Sequence, residues 1–283
     1  MNNVIDLTAS HVPTHLEDLA LGGLRPTSIY QHHTLLRRCS RHIAPTPSHQ
    51  ASTEQLREFL LRNKANGQPL TQGSRAAEAS WLRSYFGWLQ RTGRRADDPT
   101  EGMPRPKQPK RLPRPIGEHD LEMAITLADT RMTAWLRLAA YAGLRAAEIS
   151  MLRGENIMLS QRLIVVAEGK GGRPGVVPAH QSVLEALTNY GLPDSGWVFP
   201  HSYNNANPIK PWSVSTKAAD YLRACGIDAT LHQLRHRFAT AIYQTSGRDL
   251  RTTQELMRHA TPVSTAIYTW IDPADGVAAV DAL

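Results

Sequence analysis

The chain has 283 residues, more than one ordinary domain needs and enough for two. Its 41% apolar and 20% charged residues exclude a disordered chain, and no stretch approaches the ~20 apolar residues of a membrane span. The net charge of +7 is uneven: residues 1–103 carry 12 Lys/Arg against 9 Asp/Glu, residues 104–115 carry 5 against 0, and residues 116–283 carry 15 against 16. A polyanionic partner fits the first two segments. In the third, any grip on an anion requires arginines focused on one face. Met1–Ser10 has no basic region followed by an apolar run, so a cytoplasmic location is expected rather than secretion. Cys39 and Cys225 are far apart and have no metal-type spacing, so two reduced thiols and no metal site are expected.

In chain order, the first expected helix is Arg25–Ile43. Ser52 and Gln55 form a capping-box pattern ahead of Leu56, Phe59 and Leu60. Trp81, Tyr85, Trp88 and Leu89 recur at helical spacing and read as core packing rather than a base-stacking face. About four helices are expected here. Arg37, Arg38, Arg41, Arg75, Arg83, Arg91, Arg94 and Arg95 are expected to be exposed and available to phosphate. Residues 104–115 hold five prolines and five cations with no acid, and read as an extended linker that is also a polyanion contact.

Helices are expected next near 118–129 and 132–142. Leu163–Ala167 and Val176–Val177 flank Gly169-Lys-Gly-Gly172, a β-hairpin signal. Helical patterns resume at Val183–Tyr190, Val214–Cys225, Gln233–Tyr243, Leu250–Met257 and Ser264–Trp270.

Four stretches carry chemistry: Tyr141–Ile149, Glu168–Arg173, Leu231–Thr240 and Leu256–Tyr268. Each alone is an ordinary pattern. In this order and spacing they resemble the tyrosine recombinase (phage integrase) family, over most of the chain. Arg145 matches the family's first arginine, with Glu148 at the acidic position after it. Lys170 matches the hairpin lysine, His232 and Arg235 the His-x-x-Arg pair, His259 the late histidine, and Tyr268 the nucleophile. Three positions depart from the pattern: Arg258 stands where Gly is usual, Arg237 where a small residue is common, and Gly175 where a cation is frequent.

The resemblance implies a mainly α protein with a small antiparallel β-sheet. An all-helical core-binding domain would span 1–103, a linker 104–115, and an α+β catalytic domain 116–283. It implies a site-specific recombinase that needs no cofactor, ATP or metal. Attack on a phosphodiester builds negative charge on the non-bridging oxygens, and two planar, permanently charged guanidiniums can clamp them. Tyrosine is a weak nucleophile, with a pKa of about 10. His232 would take or relay its proton, Lys170 would protonate the leaving 5′-oxygen, and His259 would hydrogen-bond the phosphate. Glu148 would orient the site.

Arg105, Lys107, Lys110, Arg111, Arg114, Arg83 and Arg173 are the expected DNA contacts. The expected partner is double-stranded DNA with a core-type site, gripped between the two domains. A homo-tetramer is expected on two duplexes, and a monomer or weak dimer off DNA. Integration or excision of a phage or mobile element is the expected role, in host cytoplasm or at the nucleoid. Xer-type resolution of chromosome dimers is the alternative, and an inactive DNA-binding regulator a further one. The short stretch after Tyr268, with Ala278, Ala279, Val280 and Leu283, reads equally as an apolar tail that docks on a neighbouring protomer and as a frayed terminus; a type IB topoisomerase would share the chemistry without needing such a tail.

Overall fold

The computed structural model describes residues 11–105, 114–166, 174–259 and Thr265. It falls into two units, Met1–Arg111 and Leu112–Leu283, divided within the proline-rich segment.

The described part of the first unit is helical: α1 (Val12–Leu21), α2 (Pro26–Ile43), α3 (Thr53–Leu61) and α4 (Gln72–Arg91). Helix α2 begins on a proline, whose fixed φ and missing N–H suit a first turn. The capping box forms as the sequence predicts. The Ser52 N–H donates to Gln55 Oε1 at 2.9 Å, and the Gln55 N–H to Ser52 Oγ at 3.2 Å. Leu35, Leu56, Phe59, Leu82, Tyr85 and Leu89 form the core, so the aromatic stripe packs inward as expected. Buried Glu78 accepts from Arg62 and Arg38 and so joins α2 and α4 to the end of α3.

The arginines of this unit correct one expectation. Arg75, Arg83 and Arg95 are half-buried, not exposed. Arg83 Nη2 donates to the carbonyls of Met103 and Pro104, and Arg95 Nη1 to those of His49 and Ala51. Carbonyls at chain turns need donors, and a long guanidinium supplies them from a distance.

His15 and His32 are buried beside Trp88 and Trp81 respectively. Neither ring nitrogen of His15 has a hydrogen-bond partner among the described residues. Burial, reinforced by His32 and Arg91 and opposed by Asp18, pushes the His15 pKa down to about 4.

The second unit centres on α6 (Thr130–Tyr141), preceded by α5 (Glu118–Thr126). Asp129 caps α6 by accepting from the Met132 N–H at 2.7 Å. Trp135, Leu136, Leu138 and Ala139 of α6 are at most 1% exposed, so the helix is buried on nearly every side. It packs against α8 (Gln181–Tyr190) and α10 (Leu231–Thr245). The short α7 (Ala146–Ser150) packs on α9 (Pro211–Ala224), and α11 (Leu250–Leu256) follows α10.

The expected hairpin is present as β2 (Leu163–Val166) paired antiparallel with β3 (Gly175–Pro178), Ile164 facing Val177. Its tip lies outside the described residues, as does the expected helix Ser264–Trp270. Two features were not expected. A strand β1 (Ile157–Met158) adds to β2, and β4 (Pro200–His201) pairs with β5 (Asn204–Pro208). Helix α10 also starts two residues early, which puts His232 within its first turn. Among the described residues no helix is long and apolar enough to cross a membrane.

The buried histidine gives a testable consequence. Unfolding lets His15 take up a proton, so its contribution is complete above the ordinary pKa of about 6.5 and is lost as pH falls toward about 4. Thermal melting from pH 7 to 4 is expected to show a smaller loss of Tm in His15→Leu than in the wild type.

Candidate active site

Helix α6 ends in a tight turn at Gly143, whose φ of 61° is the left-handed region that suits glycine. A Cβ at this position would also overlap the Phe238 ring of α10. This close approach brings the start of α7 against α10. Arg145 stands at the N-cap of α7, and three residues on the helix turns Glu148 back toward it. Glu148 Oε2 accepts from the Arg145 backbone N–H at 2.8 Å, and Oε1 from Arg145 Nη1 at 2.6 Å.

Glu148 is also reached from two other helices. Arg258, just past α11, donates from Nη2 to Oε2 at 2.6 Å. Arg235 Nη1, from α10, lies 3.9 Å from the same oxygen. The Glu148 side chain is 3% exposed. Burial on its own would raise its pKa. Arg258, the Arg145 N–H, and the charges of Arg145 and Arg235 together hold the carboxyl below its ordinary value. Arg235 is itself buried and donates to the carbonyls of Gly143 and Met257.

Arg145, His232 and Arg235 line one cavity of about 360 Å³, with Trp212 and Ser215 of α9 on its other side. His232 is exposed in the first turn of α10. Desolvation in the cleft, then the charges of Arg235 and Arg145, lower its pKa. One turn on, His236 meets His232 edge to face at 4.4 Å. Burial, His232 and Arg235 push its pKa down to about 4. His259 follows Arg258 and shares a 2.9 Å hydrogen bond between its Nδ1 and Thr265 Oγ1. Burial, then Arg235, Arg145, Arg258 and His236, bring its pKa to about 4 as well. The arrangement is a positive field around neutral imidazoles, suited to an anion that gives or receives protons.

The structure thus gathers Arg145, Glu148, His232, Arg235 and His259 of the expected site. Lys170, Arg173 and Tyr268 lie outside the described residues, as do Lys107, Lys110 and Arg111. Arg105 and Arg114 are exposed at the two edges of the linker, whereas Arg83 is turned onto carbonyls. His236, Trp212 and Thr265 were not anticipated. The spacing of His236 four residues after His232 carried a signal, because such residues are neighbours on a helix. Trp212, 65% exposed after the opening proline of α9, carried none. Arg237 serves the packing of the unit. It donates to Glu118 at 2.7 Å and to the Ala140 carbonyl, and lies over the Tyr141 ring. Among the described residues no group of three His, Cys, Asp or Glu side chains could hold a metal ion.

A helical unit is thus followed by a mostly helical unit with two small antiparallel sheets, in which two arginines and a histidine line one cleft. Residues 117–274 match the model of the phage integrase family, and the chain belongs to that family. It is a tyrosine recombinase, an enzyme that cleaves and rejoins DNA. Tyrosine recombinase XerC of Xanthomonas campestris pv. campestris (strain B100) is 32% identical over 235 residues, covering 79% of this chain and 71% of that protein. Tyrosine recombinase XerC of Chromobacterium violaceum is 29% identical over 282 residues, covering 91% and 88%. A crystal structure of a lambda integrase dimer bound to a COC′ core site shares the fold, with a TM-score of 0.73 and 16% identity over 92% of this chain and 94% of that one.

The Gly143 turn can be tested directly. Gly143→Ala is expected to lower stability by about 1–3 kcal/mol through strain at positive φ and crowding of Phe238, read as a shift in the urea midpoint with unchanged slope.

Proposed function

We propose that Arg145 and Arg235 clamp the non-bridging oxygens of one DNA phosphate while Tyr268 attacks its phosphorus. The bond from the tyrosine oxygen to phosphorus forms, the bond from phosphorus to the 5′-oxygen breaks, and a 3′-phosphotyrosyl link holds the strand. The tyrosine proton goes to His232, and Lys170 gives a proton to the leaving 5′-oxygen. Reversal with another 5′-hydroxyl reseals DNA, because the phosphotyrosyl ester stores the energy of the bond it replaced. His259 donates to a phosphate oxygen, and Glu148 positions the arginines. The single observation that carries this reading is the cavity lined jointly by Arg145, His232 and Arg235.

Residues 1–103 then act as a core-type DNA-binding domain, 104–115 as a basic linker, and 116–283 as the catalytic domain. Exposed Arg105 and Arg114 are the best placed of the linker cations to meet backbone phosphates. Recombination joins two duplexes, each cut on both strands, so the working form is a homo-tetramer on a pair of core sites. The reaction takes place at the nucleoid, in the cytoplasm. Integration or excision of a phage or mobile element is the role proposed here. The two XerC relatives favour a second reading, resolution of chromosome dimers. Plasmid recombination assays with an element end and with a chromosomal dimer site separate the two.

The chemistry is checked with a nicked duplex that traps the cleaved strand. Wild type is expected to give an SDS-stable protein–DNA adduct and Tyr268→Phe none; equal adduct from both would overturn the mechanism. Arg145→Ala or Arg235→Ala is expected to slow adduct formation by ~10²–10³-fold. His232 titrates below its ordinary value and is a base only when neutral. The cleavage rate is therefore expected to hold from pH 8 to about 6.5 and to fall only under more acid conditions, a fall that His232→Gln removes.

A further inference from the structure

We propose that Arg258 is a positioning residue for the phosphate clamp: it saturates one oxygen of Glu148 so that this carboxylate does not draw Arg235 away from its place. The proposal rests on the reading of Arg145 and Arg235 as that clamp.

Two independent observations point to Arg258. It has a φ of 51°, a left-handed conformation that side chains other than glycine rarely adopt. Strain of this kind persists where the surrounding contacts enforce it, and it concentrates at functional sites. The second observation is the space kept clear for the side chain. Gly175, at the start of β3, has no side chain; a Cβ there would lie 2.8 Å from Arg258 Cδ. Arg258 closes α11 at the position after its C-cap, where its own N–H donates to the Glu255 carbonyl at 2.9 Å and the His259 N–H to the Gln254 carbonyl at 3.1 Å; a glycine commonly fills such a position, and here an arginine takes it with the strand opposite leaving room for its side chain.

Its contacts show what the side chain does there. Arg258 is 9% exposed, whereas Arg145 is 24% exposed and lines the cavity. Arg235 is more buried still but lines that cavity with Arg145, whereas Arg258 does not, so Arg258 stands behind the clamp rather than within it. Its Nη2 donates to Glu148 Oε2 at 2.6 Å and to the Gly143 carbonyl at 3.3 Å, and its Nη1 to the Leu256 carbonyl at 3.1 Å. Glu148 Oε2 also accepts the Arg145 N–H, so both of its lone-pair directions are taken.

Arg235 Nη1 is the next cation, 3.9 Å away and outside hydrogen-bond range. Without Arg258, a nearly buried carboxylate would have one lone pair of Oε2 left open beside a buried guanidinium. The attraction at low dielectric would pull Arg235 onto Glu148 and off the Gly143 and Met257 carbonyls that now hold it. A displacement of about 1 Å in a phosphate-binding group can cost about 10²-fold in rate.

The test uses the full chain, a nicked duplex and adduct formation at saturating DNA, with DNA affinity and thermal melting measured alongside. Arg258→Met keeps the stem and removes the donors. It is expected to slow adduct formation by about 10- to 100-fold with DNA affinity unchanged. Arg258→Lys, which still offers a cation to Oε2, is expected to keep most of the rate. Adding Glu148→Gln to Arg258→Met replaces the carboxylate that has lost one of its cations by a neutral amide, and the double variant is expected to cleave faster than Arg258→Met alone. A merely structural Arg258 predicts the reverse, a double variant slower still. Gly175→Ala supplies a route through the other side of the contact. It is expected to slow the wild type, and to have little further effect once Arg258 is Met. The proposal fails if Arg258→Met matches the wild type, or if the double variant is slower than Arg258→Met. Wild type that forms no adduct sinks the clamp reading itself.

Discussion

A carboxylate almost out of reach of water stays ionised only where cations and N–H donors replace its hydration. Glu148 is such a group, and three helices meet because of it. The Arg145 guanidinium, from the start of α7, meets Oε1, while Arg258, from just past α11, and Arg235, from α10, face Oε2. One negative charge among three positive ones leaves a cluster with a net charge of +2, set in a segment whose Lys/Arg and Asp/Glu nearly cancel. The carboxylate permits guanidiniums that would otherwise repel one another to stand together. The surplus charge faces the cavity through Arg145.

Burial, aided by the same field, sets the state of the imidazoles. His232, His236 and His259 all titrate below their ordinary value, chiefly through burial, and the charge of Arg235 adds to it in each case. A histidine next to guanidiniums gives up its proton readily and remains available to accept one. The arginines therefore do two things at once: they attract an anion, and they add to the burial that keeps the bases near it neutral. A cluster of lysines, with pKa values that themselves shift on burial, would be a poorer choice for this double role.

Much of this was legible in the sequence where local rules operate. The capping box of Ser52 and Gln55, the inward-facing aromatic stripe of α4 and the β2–β3 pairing each depend on neighbours along one or two segments, and each is present. The β4–β5 pair was missed because Asn204–Pro208 has no apolar alternation to read. The expected exposure of Arg75, Arg83 and Arg95 was wrong for a different reason. Spacing tells which way a side chain leaves a helix, and says nothing of which distant carbonyls need a donor. At the site, motif order singled out Arg145, Glu148, His232, Arg235 and His259. The use of Arg258 was hidden, because it depends on a backbone angle and on a glycine more than eighty positions earlier in the chain.

The hold on Arg235 has a consequence for how this enzyme can vary. Its guanidinium is gripped by the carbonyls of Gly143 and Met257, groups that every residue at those positions would present. No exchange of a side chain removes an acceptor of that kind. Random mutation can dismantle the turn at 143 by steric force, but it reaches those two acceptors in graded steps only through the side chains around the arginine, Glu148 and Arg258 among them. Neutral drift is thereby channelled away from the clamp and toward the carboxylate and cation behind it, where Glu148 and Arg258 are replaceable one atom group at a time. Lineages that keep both clamp arginines but diverge in rate would be expected to differ there first.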